Sequence, residues 1–157
     1  MLFSKKERTI LAVAHGRAVP LSDVPDEAFA SGMLGVGVAI IPSAGTICAP
    51  VDGRIETVAE ARHAYTILSD DGLDILVHIG IDTVGLGGEG FLPMVNAGDR
   101  VQAGDVIARV DLELLRRRGL PTHIPVLVTN PDRVASPAYL YGDTVGGKTV
   151  TVRYRAG

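Results

Sequence analysis

Apolar and polar positions along this chain either alternate or form short apolar runs, and turn residues close almost every run. A period of two punctuated by Gly, Pro, Asn and Asp predicts short strands rather than helices. Strands are predicted at 10–14, 37–42, 46–49, 54–58, 63–68, 74–80, 100–101, 106–111, 124–129 and 149–155. In the last of these, Val150, Val152 and Tyr154 face one way and Thr151, Arg153 and Arg155 the other. Helical signals are confined to two short stretches. Asp111 caps a run that ends in three arginines before Gly119. A second turn starts at Pro25, after Asp23, and stops by Gly32. The pattern predicts an all-β fold, an antiparallel β-sandwich or barrel with one or two short helical turns.

A weak internal repeat supports that class. His15-Gly-Arg-Ala-Val-Pro-Leu21 resembles Asp52-Gly-Arg-Ile-Glu-Thr-Val58, and two Gly-Asp turns at Gly98 and Gly104 open similar units. Such repetition predicts a fold assembled from duplicated hairpins.

The length of 157 residues is that of one domain, and 46% hydrophobic with 21% charged residues supplies a core and excludes a disordered chain. Residues 1–9 are expected to form a flexible N-terminal segment ahead of a single domain over 10–157. A net charge of −3, no Trp and no basic stripe interleaved with aromatics argue against nucleic-acid binding. The single cysteine, Cys48, sits in an apolar run and reads as a small core residue; it excludes an internal disulfide and fits a reducing compartment. No apolar window approaches the roughly 18 residues of a membrane span, so the expected location is cytoplasmic.

The chemistry concentrates between Arg62 and Asp82. Two β-prone runs flank Ser69-Asp70-Asp71-Gly72, which predicts a hairpin. If Leu68 pairs with Leu73, His63 lies directly opposite His78, and the two imidazoles meet on one face with Cβ atoms about 4.5–5.5 Å apart. A two-residue turn at Asp71-Gly72 would instead set His63 against Gly80, still within diagonal reach. Alternation puts Leu76 on the His78 face and Ile75, Val77 and Ile79 on the other. Two adjacent imidazoles with no Ser or Cys nucleophile beside them suit phosphoryl transfer through a ring nitrogen. They equally suit a metal site completed by a carboxylate such as Asp82 or Glu89.

At these residues the chain also becomes recognisable. Phe29-Ala-Ser-Gly-Met-Leu-Gly-Val-Gly-Val-Ala-Ile-Ile-Pro42, Ala49-Pro-Val-Asp-Gly53, Leu76-Val-His-Ile-Gly-Ile-Asp-Thr-Val84 and Gly88-Glu-Gly-Phe91 resemble the glucose-type enzyme IIA of the bacterial phosphoenolpyruvate:sugar phosphotransferase system. The likeness is collinear from about Val13 to Asn130. It implies a β-sandwich of the duplicated hybrid motif type and a monomeric, cytoplasmic phosphotransferase component with a phosphohistidine intermediate. It further implies phosphorylation of His78 on Nε2 and a phosphoryl-stabilising role for His63. The implied donor is the phosphocarrier HPr. The implied acceptor is a cysteine on the IIB domain of a membrane sugar permease, through which the chain associates transiently with the membrane. Asp26 and Asp82 match acidic contacts for HPr arginines, and Phe29 and Leu76 match an apolar rim. No cofactor is implied beyond the covalent phosphohistidine, with zinc optional between His63 and His78 at a partner interface. Regulatory targets bound through the same face are compatible with this reading.

Three positions depart from the pattern. Ala61 stands where the family carries a Thr that hydrogen-bonds the active imidazole, so either another group orients His78 or its tautomer is less firmly fixed. Ala59 replaces a larger rim residue, and Ala12-Val-Ala-His-Gly16 replaces a Pro-x-x-Gly turn. Two other classes compete. A zinc metallopeptidase on a similar scaffold would need a His-x-His pair, but the stretch here reads His78-Ile-Gly80. A lipoyl- or biotinyl-carrier module would need a lysine at a hairpin tip, yet the lysines are Lys5, Lys6 and Lys148.

Overall fold

The computed structural model describes residues 7–157. The first half of the chain carries strands β1 (Arg8–Leu11), β2 (Gly16–Pro20), β3 (Val36–Pro42), β4 (Thr46–Cys48), β5 (Gly53–Val58), β6 (Ala64–Ser69) and β7 (Asp74–His78), with helix α1 (Glu27–Ala30) between β2 and β3. The second half carries β8 (Phe91–Pro93), β9 (Arg100–Val101), β10 (Val106–Val110), helix α2 (Leu112–Arg117), β11 (Ile124–Val128), β12 (Val134–Tyr139), β13 (Gly142–Thr144) and β14 (Val150–Ala156). Eight strands form one sheet in the order β13-β2-β3-β11-β7-β6-β5-β9, and two three-stranded sheets run β1-β14-β12 and β4-β10-β8. All pairings are antiparallel.

One apolar core joins the three sheets. Ile40, Ile67 and Val77 reach it from the large sheet, Ile10 and Tyr154 from the first small one, and Ile47 and Ile107 from the second. Each such side chain, fully buried, contributes roughly 1.5–3 kcal/mol of apolar transfer energy. The other face of the large sheet carries a smaller cluster built on Val19, Ala39 and Leu127 under α1.

The repeat is visible as paired hairpins, β2 with β3 and β5 with β6. Both open on a glycine where a Cβ would strike the partner backbone: 2.1 Å from the Ile41 carbonyl oxygen at Gly16 and 2.2 Å from that of Leu68 at Gly53. Only glycine lets the strands approach that closely, which is why the same dipeptide recurs.

The chain differs from its predicted elements in four ways. Residues 1–6 of the segment expected to be flexible lie outside the described residues, whereas from Arg8 the chain is in β1, because Ile10 is a core residue paired with Val152. Strand β2 coincides with the first copy of the repeat, a stretch absent from the predicted strands. Strands β8 and β13 span three residues each, and β12 is broken by a register shift between Ala135 and Ala138 around Ser136 and Pro137. Too few alternating positions survive in these strands to carry a period. Finally, Asp26 rather than Asp23 caps α1, its carboxylate accepting from the Ala28 amide at 2.9 Å, while Asp23 ends a 3-10 turn at Leu21–Asp23.

Candidate functional site

The turn of the β6–β7 hairpin sets the register. The Ser69 amide donates to the Leu73 carbonyl at 2.9 Å, the Leu73 amide donates back to Ser69 Oγ at 2.9 Å, and Gly72 takes the left-handed position at φ 86°. The loop is therefore the three residues Asp70-Asp71-Gly72, neither of the two lengths expected from the sequence. Ala64 pairs with His78, and the Ile79 amide donates to the His63 carbonyl at 2.7 Å. The expected cross-strand pairing of His63 with His78 is corrected by one residue.

In a regular strand that slip would turn His63 onto the core face beside Tyr65. The backbone breaks first. The Arg62 amide closes a turn onto the Ala59 carbonyl at 2.7 Å, and Arg62 itself is left-handed at φ 64°. Released from the pleat, the His63 ring meets His78 edge-on, with centroids 4.9 Å apart and planes at 86°. The two imidazoles come together, though by a turn rather than by register.

His78 lies on the outer face with Leu76, and Ile75 and Val77 enter the core. Its Nδ1 is 2.7 Å from the Gly80 carbonyl oxygen. A carbonyl only accepts, so Nδ1 carries the proton and Nε2 keeps its lone pair. The orienting group that Ala61 lacks is thus a backbone carbonyl. That carbonyl is held from several sides: the Gly80 and Ile81 amides donate to the His123 and Pro121 carbonyls, each at 3.0 Å, and the buried Thr83 donates its Oγ1 proton to the Ile79 carbonyl at 2.7 Å. Gly80, Thr83 and the Pro121–His123 crossing are site residues that the sequence did not single out. The backbone hydrogen bonds of Gly80, Pro121 and His123 leave no residue-type signature there.

Phe29 is 7% exposed, and its ring lies 5.0 Å from that of His78, tilted by 56°. With Val19, Val24, Ala39, Ile81 and Leu127 it forms the outer-face cluster, and Leu76 packs half-buried against it. Asp26, at the α1 cap, and Asp82, left-handed at φ 60°, are near enough to favour the protonated His78. Burial is the larger effect and lowers the pKa of His78, with the Gly80 hydrogen bond and the two carboxylates opposing it. Burial also lowers His63, and the neighbouring His78 charge adds to the drop. Both rings are neutral at neutral pH, and His78 Nε2 is available as a nucleophile.

His63 is 8% exposed, and its Nδ1 is buried with no hydrogen-bond partner. It borders an open depression of about 420 Å³ walled by Ala59, Ala61, Val84 and Gly87. Among the described residues, no group of three or more His, Cys, Asp or Glu side chains is placed to hold a metal ion. Glu89, one candidate third ligand, instead pairs with Arg118 at 3.1 Å. The donor set therefore does not fit a resident zinc, and the metallopeptidase reading is not favoured. Cys48 is buried in β4, with its thiol pushed up chiefly by desolvation, as expected of a core residue.

The lowered histidines have a consequence for folding. His63, His78 and His123 are all depressed below the ordinary value by burial. Their neutral forms are favoured in the folded state, so their stabilisation is complete above about pH 6.5 and is lost as pH falls through the lowered folded-state values. Thermal melting should be level down to about pH 7, then fall on acidification, with a shallower fall in His63→Gln. A melting temperature unchanged between roughly pH 7 and 5 would contradict this.

Comparison with known proteins places this geometry in context. A family model described as phosphoenolpyruvate-dependent sugar phosphotransferase system, EIIA 1, matches residues 8–134. The chain is 45% identical over 124 residues to the PTS system glucose-specific EIICBA component of Staphylococcus saprophyticus, a match that covers 79% of this chain and 18% of that protein. It thus spans less than a fifth of that relative's length. It is 40% identical over 132 residues to the PTS system glucose-specific EIIA component of Staphylococcus aureus, covering 84% of this chain and 80% of that one. Among solved structures, glucose permease IIA from Mycoplasma capricolum matches with a TM-score of 0.87 at 33% identity, over 98% of this chain and 99% of the other.

Proposed function

The chain belongs to the EIIA 1 family of the phosphoenolpyruvate-dependent sugar phosphotransferase system, and from that premise we propose that it is a phosphocarrier whose reactive atom is His78 Nε2. The lone pair of Nε2 attacks the phosphorus of phospho-HPr. The P–N bond to the donor breaks, its electron pair returning to the donor nitrogen, and a new P–Nε2 bond forms. In the second step a cysteine thiolate of a IIB domain attacks phosphorus, and the P–Nε2 electron pair stays on the imidazole. Transfer of this kind depends mainly on positioning and on charge stabilisation.

The observation that carries this reading is the 2.7 Å contact between His78 Nδ1 and the Gly80 carbonyl, which leaves Nε2 unprotonated at neutral pH. The fused relative from Staphylococcus saprophyticus, named as an EIICBA component, supports a IIB domain as the acceptor. His63 stands edge-on to His78 and suits a donor to the phosphoryl oxygens. Asp26 and Asp82 suit a cationic face on HPr, and Phe29 and Leu76 form the apolar ground on which either partner rests. The chain acts as a monomer in the cytoplasm, visits the membrane through a sugar permease, and needs no cofactor; the choice of sugar rests with the permease. No helix of the described residues is long and apolar enough to cross a membrane.

The test is phosphorylation with radiolabelled phosphoenolpyruvate, enzyme I and HPr. The chain should take up one acid-labile, alkali-stable phosphoryl group and pass it to a purified IIB domain. Absence of label with all three components present would overturn the proposal.

A further inference from the structure

A phosphoryl group on His78 adds about 1.5–2 negative charges beside the carboxylates of Asp26 and Asp82. His63, buried edge-on to His78, offers a hydrogen bond. A guanidinium compensates such charge more fully, and the structure presents one on the His63 side. Arg62 is exposed, occupies the left-handed turn that throws His63 toward His78, and is one residue from a ring 4.9 Å from the reactive one. Its side chain rests on Gly88, where a Cβ would lie 3.5 Å from the arginine Cδ. Among the described residues it makes no ion pair and no side-chain hydrogen bond. Arg118, on the other side of the same glycine-rich loop, is by contrast held by both carboxylate oxygens of Glu89.

Resting on the phosphocarrier reading, we propose that Arg62 is a phosphoryl-pairing residue: on phosphorylation its guanidinium leaves Gly88 and pairs with the phosphoryl oxygens on His78 from the His63 side. A guanidinium suits this because its planar donors match phosphate oxygens. Left-handed backbone in a non-glycine residue is uncommon and gathers where function requires it; here it sets the imidazole and the cation from one turn. The side chain therefore discriminates the charged state of the site rather than the resting one.

Phosphorus NMR titration of the phosphorylated protein separates the possibilities. A nearby cation favours the dianion, so Arg62→Gln should raise the midpoint of the phosphoryl group's second ionisation by about half a pH unit to one unit. Arg62→Lys should keep most of the wild-type value. Arg62→Gly, which keeps the left-handed turn and removes the cation, should shift as Arg62→Gln does. A glutamine variant that titrates as the wild type overturns the pairing, as does a shift in the glutamine variant that the glycine variant lacks, which would trace to the turn alone. If the wild type takes up no label, the phosphocarrier reading itself fails and the pairing with it; if it is labelled, the outcome concerns Arg62 alone.

Discussion

His78→Ala is expected to reduce phosphoryl incorporation to background, a loss of at least about four orders of magnitude, because removal of a nucleophile removes the covalent step altogether. The Nδ1 of His63 is buried, and Cys48 lies in the core with its thiol pushed up by burial. The ring of His78 sits on the outer face, so the alanine variant should fold and melt close to the wild type. His63→Ala should behave differently. It leaves Nε2 of His78 and its Gly80 contact in place, so acceptance persists, while onward passage falls by about a hundredfold or more as a donor to the phosphoryl oxygens is lost. Single-turnover labelling from phospho-HPr, followed by chase onto a IIB domain, reads both. Normal labelling of His78→Ala would move the reactive atom elsewhere.

The second large effect is expected at Gly80, which serves the site in three ways at once: through its amide, its carbonyl and its lack of a Cβ. At φ 78° an alanine there adopts left-handed backbone at a cost of about 1–2 kcal/mol. Its Cβ would also stand 2.5 Å from Thr83 Cγ2 and 3.0 Å from Leu115 Cδ2, both on packed side chains. The loop must then shift and carry the carbonyl away from His78 Nδ1. Gly80→Ala should therefore lose about 2–4 kcal/mol of stability, from backbone strain and overpacking together. It should also accept phosphoryl about a hundredfold more slowly, the cost of misplacing a reactive group by an ångström. Denaturant unfolding and nitrogen NMR of the His78 tautomer measure the two effects separately. Wild-type labelling with the Nδ1–H tautomer retained would show that the carbonyl is not what orients the ring.

The contrast between these residues shows what the sequence could carry. The all-β class, the cap at Asp111 and the face shared by Leu76 and His78 all follow from periodicities that every residue in a strand or helix reports. The meeting of His63 with His78 was legible too, though its geometry was not. The expected pairing missed by one residue, since a three-residue turn and a left-handed Arg62 are each set by backbone torsions that Ser-Asp-Asp-Gly and Ala-Arg do not specify alone. The Gly80 carbonyl and the Pro121–His123 crossing were invisible for a stronger reason. They are main-chain groups, and the bonds that hold them, from the Gly80 and Ile81 amides to the His123 and Pro121 carbonyls, join segments distant in the chain, outside any local window. Strands β8, β12 and β13 were lost to brevity, proline and a bulge.

The pairing of β1 with β14 sets Arg8 against Tyr154, so the first and last strands lie side by side, and Arg8 also reaches Asp71 at the tip of the β6–β7 hairpin. That tip is the pole opposite His78, since β7 runs from Asp74 away from it. A chain entering at Arg8 and one leaving after Ala156 pass through one spot, on the far side from the docking face. Fusion ahead of the domain or behind it gives a tethered neighbour the same anchor and the same radius of search, so the order of modules along a polypeptide can be shuffled without altering the local concentration a partner experiences.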